Sequence, residues 1–281
     1  VPFDGPIPAD PLLRVHDSDL HVTDARYHSQ GVSAAVGDRI DFPFFLPGQT
    51  IASISTVPTA LPSRRLELHS VGPRWSPHLL QQYLPGHPVK FFEGAIDVPE
   101  VVYKRGATQQ EWNTAVSGVD ISLADTVNAV TRDGDTLQAL VSSHSPGENG
   151  HSGSAVDDIF VDTGTAVLSR DGREIGRSTT PSISDFTLPA GTGRYTLTVQ
   201  ANRNRDWATL ATQVTTTYSF DAAETGRLRL PTVKVTGDFD GTSRARANSC
   251  FTLDLAATTQ ANAKPAKITA LTVEVSTDDG V

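Results

Sequence analysis

Two segments in the second half of the chain alternate apolar and threonine-rich positions with a period of two. They are residues 194–200 and 212–220. This alternation places successive side chains on opposite faces of a β-strand, one face toward a core and the other toward solvent. Threonine and other β-branched residues favour such half-buried, pleated surfaces. Because no long amphipathic helix pattern occurs anywhere in the sequence, the predicted fold class is all-β.

A hairpin signal lies just upstream of these segments. Asp171 and Gly172 separate two short runs, residues 167–170 and 173–176. An Asp-Gly pair suits a type I′ turn because both of its central residues need a positive φ. We also predict strands at residues 135–142 and 184–188.

Short, turn-bounded runs punctuated by proline fill the first part of the chain. The predicted strands are residues 40–46, 51–57, 65–70, 89–92, 101–104 and 109–116. Several short strands at such spacing predict a β-sandwich. We predict one helical turn within residues 76–83, another near Asp17, and a polar loop over residues 143–164.

We therefore predict tandem β-sandwich modules of the jelly-roll or immunoglobulin/fibronectin-like type. The predicted division is an extended leading segment over residues 1–36, sandwiches over 37–118 and 119–231, and a third β module over 232–281. The third module contains predicted strands at 233–236, 249–256 and 268–276. Since residues 271–280 describe a strand entering a turn, we expect this module to be incomplete and the chain to derive from a longer protein.

Composition restricts the partners of the chain. Its net charge is -9 and its pI about 5.3, which argues against nucleic acid or an anionic membrane surface as a partner. No stretch approaches the roughly 18 apolar residues of a membrane helix. Cys250 is the single cysteine, and we predict that it is a semi-buried small hydrophobe.

Two segments imitate the active site of a subtilisin-like peptidase. Residues 161–164 resemble its aspartate motif and residues 241–245 its nucleophile motif. That site needs a serine activated by a histidine in the chain order Asp, His, Ser. The last histidine is His151, which precedes Asp162, so we predict that both segments are turns. Residues 150–153 lack the spacing of a nucleophile elbow, and we predict a surface loop there.

The remaining polar and aromatic residues form no recognised ligand pattern. No histidine pair has the spacing of a zinc site, and the aspartates match no calcium loop. We therefore predict no cofactor, and we predict solvated turn carboxylates at Asp157, Asp158, Asp162, Asp238 and Asp240. Trp75, Trp112 and Trp207 could line a sugar or peptide groove, but we expect Trp112 in a core and Trp207 at a sandwich end.

Taken in order, several segments resemble the region that follows the catalytic domain in large secreted subtilisin-like serine peptidases of actinobacteria. The segments are residues 7–11, 26–31, 103–106, 111–113, 168–176, 186–190, 193–198, 210–214, 218–220 and 271–280. The resemblance covers most of the chain. It implies a secreted, extracellular protein whose partners are the catalytic domain of its own parent protease and protein substrates. The catalytic residues belong to the preceding domain, so none is carried over to this chain.

The predicted function is thus a non-catalytic accessory region that supports substrate docking, folding or stability of a peptidase, with no assembled nucleophile of its own. The alternative is an independent module that binds carbohydrate or cell wall, with the tryptophans as its platform. A second rival is an enzyme with a convergent site built from His144, His151, Asp157 and Asp162, and a third is a protease inhibitor with a rigid protruding loop.

Overall fold

The computed structural model describes residues 15–44, 54–83, 94–124, 127–148, 150–221 and 225–276. Strands account for 54% and helices for 3% of the structure, which confirms the all-β prediction. The described residues contain no helix long and apolar enough to cross a membrane.

Eight of the first nine strands form the two sheets of the first sandwich, and the ninth pairs outside these sheets. The strands are β1 (Leu20–Tyr27), β2 (Ala35–Phe44), β3 (Ser55–Leu61), β4 (Ser63–Ser70), β5 (Arg74–Tyr83), β6 (Ala95–Asp97), β7 (Val101–Val102), β8 (Gly106–Trp112) and β9 (Val116–Gly118). One sheet has the order β4-β1-β8, and the other contains β6-β5-β2-β3 with β7 beside β5. Their shared core holds Ala25, Tyr27, Leu61, Leu79, Ile96 and Trp112.

Strand β1 lies within residues 1–36, where we predicted an extended leading segment, and it corrects that prediction for residues 20–27; residues 1–14 lie outside the described residues. After a 3-10 turn at Asp17–Asp19, Leu20–Tyr27 pairs antiparallel with β4 and parallel with β8. Its inward side chains begin with His21 and Thr23, and only then come Ala25 and Tyr27. These two polar inward residues conceal the alternation that the sequence pattern would otherwise display.

Strand β5 corrects the predicted helical turn within residues 76–83. Arg74–Tyr83 is the central strand between β2 and β6, with Trp75, Pro77 and Leu79 facing inward. Proline lacks a backbone donor and argues against a strand interior, which is why the sequence favoured a turn. The predicted strand at 89–92 lies outside the described residues, as do the ends of those at 40–46 and 51–57.

The second sandwich follows the predicted strands more closely. The elements of this part of the chain are β10 (Ala129–Asp133), β11 (Thr136–Leu140), β12 (Ser145–Pro146), β13 (Ser152–Gly153), α1 (Ala155–Asp158), β14 (Asp162–Arg170), β15 (Arg173–Ser178), β16 (Ile183–Thr187), β17 (Arg194–Arg203), β18 (Gln213–Asp221) and β19 (Gly226–Arg227), and β12 and β13 belong to neither sheet of the second sandwich. The two sheets have the orders β16-β11-β10-β19 and β15-β14-β17-β18. The predicted hairpin is confirmed, because Asp171 and Gly172 have φ values of 50° and 80°.

Residues 143–164 were predicted as a polar loop, with a surface loop at residues 150–153, but most of the described residues in this segment are buried. Strand β12 pairs with β9, and β13 pairs with β6 at the edge of the larger first-sandwich sheet. His151 and Ser152 are therefore 2% and 0% exposed. After β10 and β11 of the second sandwich, the chain returns to the first sandwich at β13 and re-enters the second at β14. Contacts therefore cross the predicted boundary at residue 118.

Strands β20 (Pro231–Gly237) and β21 (Leu253–Thr259) form a two-stranded antiparallel C-terminal hairpin. The predicted strand at 268–276 is not formed, and its apolar residues Leu271 and Val273 are exposed. Cys250 is also exposed, so the prediction of a semi-buried residue is wrong. No partner strand within the described residues covers this apolar run, and burial rather than propensity decides whether such a run becomes a strand.

Candidate functional site

Two grooves run along the outer side of the first sandwich. The hairpin groove, about 620 Å³, lies between the first sandwich and the C-terminal hairpin. It is lined by Arg26, Tyr27, His28, Pro62, Ser63, Arg64, Glu111, Thr114, Ala115, Glu148, residues 235–239 and Gly241. The edge groove, about 670 Å³, is lined by His21, Val98, residues 101–111, Glu148 and His151. Since Glu111 and Glu148 line both, the two grooves meet there.

Strand β8 borders this pair of grooves. Within the described residues it is an edge strand, because its sheet has the order β4-β1-β8. Residues 106–109 are exposed, and the burial of the strand rises only toward Trp112, which is 0% exposed. An edge strand presents unpaired N–H and C=O groups on its outer side. The grooves are therefore joined by exposed backbone that can form hydrogen bonds.

Charged side chains of both signs lie in the hairpin groove. Glu111 accepts hydrogen bonds from His28 Nε2 at 2.6 Å and Arg26 Nη1 at 3.4 Å. Arg64 donates two bonds to Asp24, at 2.7 Å and 2.5 Å. The hydrogen bond and the charge of Arg64 lower the pKa of Asp24 from its usual range. The groove wall is thus ionised near neutral pH, with cations and carboxylates side by side.

Glu148 forms the floor where the two grooves meet. Its carboxylate accepts hydrogen bonds from the Thr114 hydroxyl and from His151 Nδ1, the latter at 3.0 Å. Burial raises the pKa of Glu148, but the hydrogen bonds from His151 and Thr114 and the charge of His151 outweigh it, so the pKa is lowered overall. The floor is therefore a fixed carboxylate rather than a mobile one.

All three tryptophans lie in or against the core. Trp112, Trp207 and Trp75 are 0%, 3% and 9% exposed. The prediction of a core Trp112 is confirmed, and Trp207 packs into the first-sandwich core from the second sandwich. The sequence has three tryptophans, all within the described residues, and none of them forms an exposed platform, which removes the main argument for a carbohydrate surface.

Arg39 is the centre of a buried ionic cluster that composition did not reveal. The Arg39 cluster consists of Arg39, Asp41, Glu67 and Trp112. The guanidinium is 1% exposed, lies 2.8 Å from Asp41 and 3.5 Å from Glu67, and stacks 4.5 Å from the Trp112 ring centroid. Arginine tolerates such burial because it can pair with carboxylates and stack on an aromatic ring at once. This cluster holds the two sheets of the first sandwich together.

The residues proposed for a convergent enzyme come together only in part. His144 Nδ1 donates to Asp162 at 2.7 Å, and Arg203 lies 3.3 Å from both Asp162 and Asp158. Ser142 donates to Asp158 at 2.5 Å. We call these five residues the Asp162 cluster. The side chains of His144 and Asp162 are 0% and 1% exposed, so the pair is closed to a substrate.

Within the Asp162 cluster, two carboxyl groups share one arginine. Burial and the neighbouring charge of Asp162 raise the pKa of Asp158 to about 7. Burial acts the same way on Asp162, but His144 and Arg203 outweigh it and lower the pKa of Asp162. Burial and Arg203 lower the pKa of His144 despite the attraction of Asp162. Just below pH 7, Arg203 and ionised Asp162 therefore balance each other, while Asp158 holds its proton and His144 is neutral.

These clusters correct two predictions. Residues 161–164 are not a turn but the start of β14, and Asp162 there is buried and ion-paired rather than solvated. Asp158 is likewise buried, at 1% exposure. By contrast, residues 241–243 do form a turn, in which Ser243 has a φ of 61°.

Strand β5 brings together a serine, a histidine and an aspartate. Ser76 Oγ lies 3.0 Å from His78 Nε2, and His78 Nδ1 lies 2.7 Å from Asp97 Oδ1. The His78 and Asp97 side chains are 24% and 19% exposed. Sequence analysis missed this arrangement because residues i and i+2 share a face only in a strand, and β5 was predicted to be a helical turn. Asp97 faces His78 across the β5–β6 ladder.

Metal ligation finds no support in the described residues, which contain no group of three or more histidine, cysteine, aspartate or glutamate side chains arranged to hold an ion. The cation beside Asp158 and Asp162 is the guanidinium of Arg203.

Comparison with known proteins places the chain in no family. No family model matches it, and no curated protein matches it. Among solved structures, a protein from Bacteroides uniformis described as a "putative carbohydrate binding protein" aligns over 71% of this chain and 98% of its own, with 6% identity and a TM-score of 0.24. A similarity this low carries no argument about function.

Proposed function

We propose that this chain is a non-catalytic accessory region that binds extended protein segments along β8 and supports a secreted subtilisin-like peptidase. The observation that carries the binding proposal is the edge strand β8, flanked by two grooves that meet at Glu111 and Glu148. The peptidase context comes from the order of the sequence segments described above.

An extended polypeptide fits this surface in shape. A partner strand can add to a sheet edge through main-chain hydrogen bonds, with its alternate side chains entering flanking pockets. Gly106–Trp112 is seven residues long, which matches a bound segment of about 23 Å at about 3.3 Å per residue. The hairpin groove extends that track past Thr114 and Ala115 toward Phe239.

The charge pattern favours protein over polysaccharide as the occupant. Arg26 and Arg64 lie on the same groove wall as Glu111, while Pro62 and Phe239 supply apolar surface. Mixed charge with apolar patches complements a polypeptide of mixed side chains. A sugar-binding face relies on exposed aromatic rings for contact area, and the tryptophans here are buried.

The binding test uses a fluorescently labelled, reduced and carboxymethylated protein as the extended probe. We expect saturable binding in fluorescence anisotropy, weakened about tenfold or more by the double substitution Arg64→Glu and Phe239→Ala. Arg177→Glu on β15 is the matched control and should bind normally, since it alters an exposed ion pair outside both grooves. Absence of probe binding, or retention on insoluble polysaccharide instead, would favour the carbohydrate alternative.

The accessory role is tested by joining residues 1–281 to a subtilisin-like catalytic domain. Tethered substrate gains effective concentration without any change in the chemistry. The fusion should therefore lower KM for a large unfolded protein and leave the kinetics of a short peptide unchanged. Unchanged stability together with unchanged turnover of both substrates would rule out the accessory role.

A second candidate function rests on Ser76, His78 and Asp97. Their atoms are connected in the order of a catalytic triad, in which the imidazole takes the serine proton and the carboxylate orients the imidazole. The Phe42 ring contacts His78 edge-on at 5.1 Å and offers an apolar neighbour for an acyl group. Because β5 is paired on both sides, its backbone N–H groups engage in the sheet, and turnover would be slow without an oxyanion hole.

A fluorophosphonate probe separates this candidate from the first. Covalent labelling at Ser76, lost in Ser76→Ala and retained in Ser219→Ala on β18, would support a reactive serine. Complete resistance of the wild-type protein to the probe would reject it. The result of this labelling experiment does not affect the interpretation of the polypeptide-binding assay, so the two candidate functions are tested independently.

A further inference from the structure

Lys234 occupies a buried position that joins the C-terminal hairpin to the two sandwiches. Its side chain is 7% exposed and that of its neighbour Asp120 is 2% exposed. The Nζ atom donates to the backbone carbonyls of Glu148 at 2.7 Å and His151 at 3.0 Å. It lies 2.9 Å from Asp120 Oδ2. A lysine is seldom buried so deeply unless it is paired.

The contact between the two side chains is close but is not a hydrogen bond. Although Nζ is 2.9 Å away, Asp120 Oδ2 has no hydrogen-bond partner. The other carboxyl oxygen, Oδ1, accepts a bond from the Ser122 backbone N–H at 2.8 Å. Two of the three Nζ protons are held by carbonyl oxygens, and the nitrogen lies 2.9 Å from the carboxyl oxygen that lacks a hydrogen-bond partner.

The backbone around the pair is held in place from both sides. Thr232 Oγ1 donates to the Val119 carbonyl, and the Val235 N–H donates to Ser117 Oγ at 2.9 Å. The Asp120 carbonyl accepts a bond from Ser152 Oγ at 3.3 Å. Reacting groups held in contact in this way have a high effective concentration, because the orientation is fixed before any reaction.

From this geometry we propose that Lys234 and Asp120 form an intramolecular amide bond, a covalent cross-link between β20 and the segment that follows β9. The inference is independent of the proposed function, because neither residue lines the grooves.

The reaction needs no outside reagent. In the proposed reaction the Lys234 ammonium transfers a proton to Asp120 Oδ2, which yields a neutral amine and a neutral acid in contact. The amine lone pair attacks the carboxyl carbon, and the carbonyl electrons move to Oδ1, where the Ser122 N–H stabilises them. A proton then passes from nitrogen to Oδ2, the C–Oδ2 bond breaks, and one water molecule leaves.

The intact mass of the purified chain tests the proposal directly. The wild-type protein should be lighter than its sequence mass by one water molecule. Trypsin should fail to cut after Lys234, and the digest should contain a branched peptide that joins the segments around Asp120 and Lys234. A wild-type protein that has its full sequence mass after prolonged incubation at neutral pH overturns the proposal and leaves an ordinary buried ion pair.

Substitutions separate the covalent bond from the ion pair. Lys234→Arg retains the positive charge but cannot form this amide, so it should have its full mass and a lower Tm than the wild type. Asp120→Asn should lose ammonia instead of water and reach the same linked product, a signature that no purely structural role produces. Lys104→Arg, at an exposed position, is the matched control and should still lack one water. A normal mass for Asp120→Asn together with a linked wild type would place the link on another acid and contradict the assignment.

Discussion

At the scale of single residues, the most unusual feature of the protein is its buried cations, which are paired with carboxylates. Arg39 and Arg203 are each less than a tenth exposed, and each lies beside two carboxylates. Breaking such a pair leaves a charge that has lost both water and its partner, which costs more than the intact pair contributes. Each buried cation therefore makes the stability of the chain sensitive to one side chain.

Arg39 provides the clearest test of this sensitivity. Arg39→Met preserves much of the side-chain volume but leaves Asp41 and Glu67 without their buried cation. We expect a loss of about 3–5 kcal/mol in the free energy of unfolding, measured by urea denaturation. Arg26→Met breaks an exposed pair with Glu111 and should change stability by less than about 1 kcal/mol. Equal effects of the two substitutions would contradict the role given to the Arg39 cluster.

Asp158 should impose a pH dependence that one substitution removes. The folded protein holds the Asp158 proton up to about pH 7, whereas the unfolded chain releases it near pH 3.8. Stability from this group therefore falls as pH rises through that window. His144 has the opposite slope, because its lowered pKa means that stability is lost as pH falls below about 6.5.

Asp158→Asn isolates the first contribution. The amide retains an oxygen for Arg203 and an N–H for Ser142, so the fold should be preserved. The variant should gain stability relative to the wild type as pH rises from about 4 to 7, by more than about 1 kcal/mol, and the difference should level off above that. Urea unfolding at several pH values measures it. The exposed Asp254→Asn should show no such trend, and a flat difference for Asp158→Asn would exclude a protonated Asp158.

At the scale of elements, strands with one apolar face were predictable and strands with polar inward residues were not. The alternation in β17 and β18 and the Asp171 turn are present in the sequence itself. Strand β1 escaped notice because His21 faces inward, and β5 because Pro77 interrupts its pattern. The candidate site was the least predictable part of the structure. The edge position of β8 and the contacts of Ser76 and His78 depend on which strands pair, and the sequence pattern does not specify strand pairing.

Gly147 controls how closely one element approaches another. A Cβ added there would stand 2.0 Å from the Val235 carbonyl oxygen in β20. Gly147→Ala must therefore displace the C-terminal hairpin, and we expect a loss of about 2 kcal/mol or more in the free energy of unfolding. Gly134→Ala is the control, because its Cβ would meet open space and its φ of +59° should cost only about 1 kcal/mol. Equal losses of unfolding free energy for the two variants would mean that the C-terminal hairpin can move away from residue 147 without loss of stability, which would contradict the role given to Gly147.

At the scale of the whole molecule, the two sandwiches and the C-terminal hairpin pack against one another rather than forming independent modules. Trp207 and Val161, from the second sandwich, lie in the first-sandwich core. Gln260, which is 2% exposed, follows the hairpin and bonds to Val130 and Leu228 in the second sandwich. Such shared burial favours a single cooperative unfolding transition.

Gln260→Ala tests that cooperativity. The loss of its amide leaves the Val130 N–H without its partner in the interior, which should cost about 2–4 kcal/mol. Tryptophan fluorescence reports the first-sandwich core, which Trp207 enters from the second sandwich, whereas circular dichroism reports every strand. If the parts are coupled, the substitution lowers the midpoint of both signals together. A change in the circular dichroism transition alone would show that the parts unfold independently.

The two-residue strand β13 determines how this polypeptide can be divided. Ser152–Gly153 hydrogen-bonds to β6 although it follows β9, β10 and β11 in the chain. In a fragment that ends at Gly118, the outer edge of β6 therefore has no partner strand. A fragment that begins at Val119 contains β13 but not the strand β6 with which it pairs. Division of the chain between Gly118 and Val119 should therefore yield two fragments that aggregate through unpaired strand edges. The intact chain covers these edges through its own β6–β13 pairing.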